Sequence, residues 1–118
     1  MILDSLLRLE AVLGGAVSAN QPEVHVDYVD YNVRSEATLP SYFRVALNST
    51  TDVTILAAPV VPNQRREVVR LNVYNKDTAT IVLTIKTDNG TTEFIQFKQS
   101  LLTLQTFCWE KGVGAYVI

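Results

Sequence analysis

The chain has 118 residues, of which 47% are hydrophobic and 19% charged, and its formal net charge is −2. These values are typical of one globular domain and exclude a disordered chain. The small negative charge offers no attraction to nucleic acid or to an anionic membrane, so we expect neither as a partner. The single cysteine, Cys108, lies in an apolar run, which favours a buried thiol and a fold without a disulfide.

An export signal is not predicted at the N-terminus. Ala16-Val17-Ser18-Ala19 resembles a signal-peptidase site, but no basic region precedes it. Asp4, Arg8 and Glu10 also interrupt the apolar stretch that such a signal needs. No apolar run in the sequence approaches the length of a membrane span.

Residues 2–17 form the one stretch with a helical apolar pattern, because apolar residues recur at spacings of four and three. This pattern predicts a short amphipathic helix that needs a partner surface to be stable. We therefore divide the chain into an N-terminal helical arm, residues 1–19, and a β-sandwich domain, residues 20–118. Our hypothesis is that the arm makes inter-chain contacts, and the alternative is that it packs on its own sandwich. The contact residues would be Ile2, Leu3, Leu6, Leu7, Leu9 and Leu13.

After a polar linker at residues 18–22, the apolar period changes from about 3.6 to 2, as in β-strands. Val24 and Val26 alternate, and the phase then slips by one residue to Val29 and Tyr31, which predicts a bulge. Further along, Pro59 and Pro62 bracket a predicted loop.

The second half of the chain continues the alternation of apolar and polar residues. Asn89-Gly90 gives the strongest hairpin signal, since this pair tolerates the positive φ angles of a tight turn. The residues predicted to face the core here are Val69, Leu71, Val73, Ile81, Leu83 and Ile85. The whole pattern predicts an all-β fold, an antiparallel, jelly-roll-like β-sandwich of about eight strands with the short N-terminal helix. Jelly-roll and immunoglobulin-like windings are not distinguished by pattern alone.

The sequence shows no combination of residues typical of an active site. His25 is the only histidine, and no second histidine or cysteine is available to complete a zinc site. Asp27 and Asp30 are interpreted as solvated strand residues, and Gly112-Val113-Gly114 as a turn. We therefore predict no catalytic, cofactor-binding or metal-binding residues. Trp109, Tyr116 and the Tyr28/Tyr31 pair leave open a sugar-binding platform, although core or interface packing is favoured.

The segment from Val53 to Ile118 carries a family resemblance. An Ala57-Ala58-Pro59 stretch leads to Arg66, and the pattern Val68, Leu71, Val73, Asn75, Asp77 and Thr78 follows. An alternating strand and an Asn89-Gly90-Thr91-Thr92 hairpin come next. This order resembles small virion structural proteins of tailed bacteriophages. The N-terminal part, with Gly14-Gly15-Ala16-Val17 and Asn20-Gln21-Pro22, is similar to the same class.

The resemblance implies a virion protein without catalytic residues, assembled in the bacterial host cytoplasm. Within that class we expect a capsid decoration (cement) protein that acts as a homo-oligomer, with a trimer favoured, and binds the major capsid protein or another virion protein. A tail or head-to-tail component is the alternative within the class. A carbohydrate-binding module and, less favoured, a small β-sandwich hydrolase are the alternatives outside it.

Overall fold

Ten strands form two antiparallel sheets that face each other in the computed structural model, which describes residues 1–118. The larger sheet has the order β10-β9-β6-β3-β4, with β1 paired to the start of β6, and the smaller sheet has the order β5-β2-β7-β8. The all-β, antiparallel prediction is confirmed, with ten strands where about eight were expected. The strands are β1 (Ile2–Leu3), β2 (Arg8–Leu13), β3 (Glu23–Tyr31), β4 (Ser41–Ala46), β5 (Val53–Leu56), β6 (Arg65–Tyr74), β7 (Ile81–Asp88), β8 (Glu93–Leu101), β9 (Thr106–Glu110) and β10 (Gly114–Val117).

The β2–β3 and β5–β6 connections both run from the smaller sheet to the larger sheet. β2 and β5 are neighbours in the smaller sheet, and the strands that follow them, β3 and β6, are neighbours in the larger sheet. Hairpins join β3 to β4, β7 to β8 and β9 to β10 within one sheet, and the other six connections pass from one sheet to the other. No helix in the structure has the length and apolar composition that crossing a membrane requires.

The prediction of an N-terminal helix is wrong, because residues 2–3 and 8–13 form strands. β2 lies between β5 and β7 and pairs with both, so this part of the chain is built into the smaller sheet and is not a separate arm. Removing residues 1–19 would therefore open the middle of the smaller sheet.

The local sequence explains why a helix does not form here. Asp4 makes a turn in which its side chain accepts a hydrogen bond from the backbone N–H of Leu6, at 3.0 Å, and this competes with helix formation. Leu9 and Leu13 share a face at both the strand and the helix period, because they are four residues apart. The burial of Ala11 distinguishes the strand from the helix. Ala11 is fully buried on the same face as Leu9 and Leu13, as the strand period of two requires.

The core lies between the sheets and contains five of the six residues that were predicted for β6 and β7. Leu71, Val73, Leu83 and Ile85 are at most 1% exposed. Val69 is the exception at 38%, because Asp27 pairs with Arg70 while the next residue, Tyr28, pairs with Val68. This β-bulge leaves Val69 without a partner on β3 and moves Val68 into the core. The bulge adjoins the phase slip seen in the sequence, but β6 supplies the extra residue.

Truncating a core leucine tests this assignment of faces. Leu71→Ala and Leu83→Ala should each lower the free energy of unfolding by roughly 2–5 kcal/mol, since each removes a fully buried side chain from a closed core. Val69→Ala is the matched control and should cost less than about 1 kcal/mol, because its side chain is partly solvated. Urea unfolding followed by circular dichroism measures all three. Equal losses for Leu71→Ala and Val69→Ala would contradict the bulge.

The loops at one end of the sandwich are joined by the buried side chain of Asn75. Its Nδ2 donates hydrogen bonds to the carbonyl oxygens of Ala79 and Leu101, both at 3.0 Å, and its Oδ1 accepts from the N–H of Asp77. The backbone of Asn75 also bonds to Gln105 and Leu104. Through its side chain and its backbone, Asn75 therefore links the β6–β7 loop with the end of β8 and with the β8–β9 loop.

Asp77 extends this network to the segment between β2 and β3. Its carboxylate is buried and accepts hydrogen bonds from the backbone N–H groups of Ser18, Ala19 and Asn20, at 2.8–3.1 Å, and from that of Thr78. These N–H groups lower the pKa of Asp77 to about 2 from its ordinary value of 3.8. We refer to Asn75 and Asp77 together as the loop node.

Asp77 makes the free energy of unfolding depend on pH in the acid range. Because its pKa is lowered in the folded state, the stabilisation is complete above about pH 4 and is lost as the pH falls toward 2. Asp77→Asn should reduce the melting temperature at pH 7 by about 4 °C or more, and the deficit should shrink as the pH falls to 2. Calorimetric scans from pH 2 to pH 7 measure it, with Asp4→Asn as an exposed control. A deficit independent of pH would contradict this role.

Candidate functional site

The structure separates the six residues that were predicted to make the inter-chain contact. Leu3, Leu9 and Leu13 are at most 2% exposed and belong to the core. Leu7 is half-buried against that core. Ile2 and Leu6 are exposed, at 48% and 72%, so only these two present substantial surface to another molecule.

Large apolar side chains are exposed on the loops at the end of the sandwich opposite the loop node. Tyr31, where β3 ends, pairs with Arg65, where β6 begins, and Leu3 at the end of β1 pairs with Arg66. The connections at this end therefore include residues 4–7, 32–40 and 57–64. We call it the apolar end, defined by Leu6, Val33, Leu39, Val60 and Val61, which are 55–91% exposed.

Two arginines hold the loops of the apolar end in place. Arg66 makes a two-pronged ion pair with Asp30, at 2.8 and 3.1 Å, and donates to the carbonyl oxygen of Ala57 at 2.8 Å. The hydrogen bonds to Asp30 raise the pKa of the Arg66 guanidinium, which also lies 4.6 Å from the centre of the Tyr28 ring. Arg65 reaches Ser35 of the neighbouring loop. The exposed valines and leucine are thus presented on anchored loops.

The apolar end is not predicted by the sequence pattern. The pattern indicates a loop between Pro59 and Pro62 but gives no role to Val60 and Val61. The available signal was two adjacent β-branched residues in a proline-bracketed loop, since such residues are normally placed in strands.

A cluster of charged residues covers the outer face of the smaller sheet. Arg8 bridges Glu10 and Asp88, at 3.0 and 2.6 Å, while Lys86 bridges Asp52 and Glu93, at 2.8 and 2.6 Å. Glu10 and Lys86 are opposite each other in the β2–β7 register. Only 5% of Glu10 is exposed, and its Oε1 atom has no hydrogen-bond partner. Burial raises the pKa of Glu10.

Three carboxylates of this cluster have the chemistry of a divalent-cation site. Oxygen atoms of Glu10, Asp52 and Glu93 lie within 4.8 Å of one another, and hard cations prefer such ligands. The Lys86 ammonium, however, is already hydrogen-bonded to Asp52 and Glu93, and these two bonds raise its pKa. The Lys86 ammonium therefore already pairs with two of the three carboxylates that a metal ion would need.

His25 belongs to a polar and aromatic group on the outer face of the larger sheet. Arg44 donates from Nε to His25 Nδ1 at 3.0 Å, so the neutral ring carries its proton on Nε2 and donates to Asp27 at 2.8 Å. The imidazole stacks on Tyr42 with ring centres 5.7 Å apart. Beside this group lies a cavity of about 520 Å³. Its polar lining residues are Glu23, His25, Arg44, Asn72 and Tyr74.

The other residues singled out in the sequence lie apart from one another. Cys108 is 4% exposed and burial raises the pKa of its thiol, in agreement with the prediction of a buried cysteine. Trp109 packs against the core, whereas Tyr116 pairs with Cys108 on the outer face. Tyr28 and Tyr31 each lie under a different arginine, Arg66 and Arg65. These four aromatic residues therefore do not form one platform.

Comparisons with known proteins return no matching family model, no matching curated protein and no matching solved structure.

Chelation tests whether the charged cluster uses a metal. EDTA should leave the melting temperature unchanged, because the Lys86 ammonium already lies between Asp52 and Glu93 and is hydrogen-bonded to both. Lys86→Met is the matched variant, in which the carboxylates lose their cation, and added Ca²⁺ should raise its melting temperature. Differential scanning calorimetry with and without EDTA or Ca²⁺ measures both proteins. A fall in the wild-type melting temperature on chelation would show that a bound ion contributes to stability.

Proposed function

We propose that this chain is a structural protein of a tailed-phage virion, a capsid decoration protein that binds the major capsid protein through its apolar end. The observation that carries the proposal is the apolar end itself, where five large aliphatic side chains stand 55–91% exposed on three neighbouring loops. Exposed apolar groups gathered in one region mark protein-binding surfaces. The resemblance described above supplies the virion as the setting.

The way in which the loops are anchored supports a binding role. Pro59 and Pro62 restrict one loop, and Ser35 and Asn63 hold the positive φ angles, 61° and 64°, that turn the chain. The Arg66–Asp30 ion pair joins β3 to β6 at the base of the loops, and Arg66 also donates to the carbonyl oxygen of Ala57 in the β5–β6 loop. A surface ordered before binding loses less conformational entropy when it docks, which favours a permanent contact.

The residues that carry the family resemblance support a shared scaffold. Val68, Leu71 and Val73 lie in the core, and Asn75 and Asp77 form the loop node. Their pattern therefore describes how the sandwich is held together, while the loops at its apolar end are free to match a particular partner.

The cavity beside His25 favours carbohydrate binding as a second candidate function. A volume of about 520 Å³ falls in the range of small-ligand sites. Its lining offers a carboxylate, an amide, an imidazole, a guanidinium and a phenol, all of which hydrogen-bond to hydroxyl groups. A tail or head-to-tail position is the other alternative, with the same docking surface and a different partner.

Quantitative mass spectrometry of purified phage particles tests the proposal. We expect the chain to be present at a copy number comparable to that of the major capsid protein. When purified protein is added to particles that lack it, the double variant Leu39→Glu/Val60→Glu should bind at least about tenfold more weakly, because it places two charges in a desolvated contact. The control, Leu102→Glu/Ile118→Glu, changes two aliphatic residues that are also largely exposed, at 59% and 72%, but lie away from the apolar end, and it should bind like the wild type.

Each outcome has a distinct meaning. Absence of the chain from particles, or equal binding of both double variants, would overturn the proposal. A copy number far below that of the capsid protein would place the chain at the tail or portal. Saturable binding of a soluble glycan that is lost in Arg44→Ala would favour the carbohydrate function.

A further inference from the structure

β8 is a long strand with one unpaired edge. It is an edge strand of the smaller sheet, where it pairs with β7 only, and it is nine residues long. The other border strands are shorter: β4 has six residues and follows Pro40, while β5 and β10 have four each. An unpaired strand edge presents backbone donors and acceptors to another strand, so natural proteins usually keep such edges short.

Two adjacent large hydrophobic residues are exposed on this edge strand. Phe94 is 56% exposed and Ile95 66%. Phe94 pairs with Thr87, which shares the inner face with Leu9, so its ring lies at the open side of the core. Phe97 occupies the same inner face further along β8 and contacts Phe107, with ring centres 5.4 Å apart. A second strand placed alongside β8 would cover both rings.

A bulge in β8 sets the faces of the residues on either side of it. Ile85 pairs with Phe97 and the next residue, Lys86, pairs with Ile95, so Gln96 has no partner on β7. As a result, Glu93 and Lys98 lie on the same outer face although they are five residues apart. Lys98 makes no salt bridge within the chain, and 47% of the Glu93 side chain is exposed.

The charges and the bulge are complementary to a second copy of the same strand. In an antiparallel arrangement with a twofold axis between residues 95 and 96, Glu93 faces Lys98 of the other copy, and Lys98 faces Glu93. The same register places Phe94 opposite Phe97. Because of the bulge, Glu93 and Lys98 lie on the outer face of the joined sheet, and Phe94 and Phe97 lie on the inner face, as cross-strand pairing requires.

We propose that two copies of this chain associate by antiparallel pairing of their β8 strands, which joins two smaller sheets into one sheet of eight strands. The contact is isologous and closes as a dimer, in contrast to the trimer that the sequence analysis favoured. It uses none of the residues of the apolar end, so it stands or falls separately from the proposed function.

Charge reversal tests the pairing. Sedimentation equilibrium of the full chain should show a reversible dimer, and Lys98→Glu or Glu93→Lys alone should weaken it about tenfold or more, because each places like charges opposite each other twice. An equimolar mixture of the two variants should dimerise again, since opposite charges then face each other. Tyr42→Lys, on the edge strand of the other sheet, should leave the association unchanged.

Hydrogen exchange of the wild type provides a measurement that needs no variant. Amides of residues 93–98 should exchange more slowly at high protein concentration than at low concentration, while those of β4 should not change. A wild type that is monomeric at all concentrations, or trimeric, would overturn the proposal. So would a dimer that Lys98→Glu leaves intact, or a mixture of the two charge variants that does not associate.

Discussion

The buried side chain of Asn75 is the interaction on which the arrangement of this sandwich depends most. A carboxamide in an apolar interior must satisfy its donors and acceptor. Here it does so with the carbonyl oxygens of Ala79, in the β6–β7 loop, and of Leu101, at the end of β8, and with the N–H group of Asp77. The β6–β7 loop and the β8–β9 loop that follows Leu101 both connect the smaller sheet with the larger sheet. The amide therefore fixes how the two sheets meet at this end, in addition to the apolar packing between them.

Asp77 links the connection between β2 and β3 to the same end of the sandwich by hydrogen bonds. Three successive backbone N–H groups of the β2–β3 segment point at its carboxylate, an arrangement that favours the ionised form and orders a stretch of chain with no regular structure. Leu104, in the β8–β9 loop, adopts an unfavourable backbone conformation while it is hydrogen-bonded to Asn75. It holds a φ angle of 65°, which is unfavourable for leucine, while its N–H donates to the Asn75 carbonyl oxygen at 2.7 Å.

The two ends of the molecule thus differ in what their loops do. At the loop node, polar side chains turn inward and satisfy the backbone, so those loops hold the sheets together. At the apolar end, arginines anchor the loop bases, and aliphatic side chains such as Leu39 and Val60 point outward. The loops that stabilise the fold therefore lie at one end of the domain, and the exposed side chains of the proposed binding surface lie at the other. On the outer face of the smaller sheet, Lys86 pairs with both Asp52 and Glu93.

The sequence by itself determined the β class, the strand alternation and most of the core, because a period of two is a local property that each strand carries. Leu71 and Leu83 were placed correctly for that reason. The tertiary structure decided the rest. Leu9 and Leu13 fit a helix or a strand equally well until β5 and β7 offered hydrogen bonds on both sides of β2. Val69 left the core because of a bulge that exists only in the pairing with β3. The loop node, the apolar end and the charged cluster join residues far apart in the chain, and only the winding of the strands brings them together.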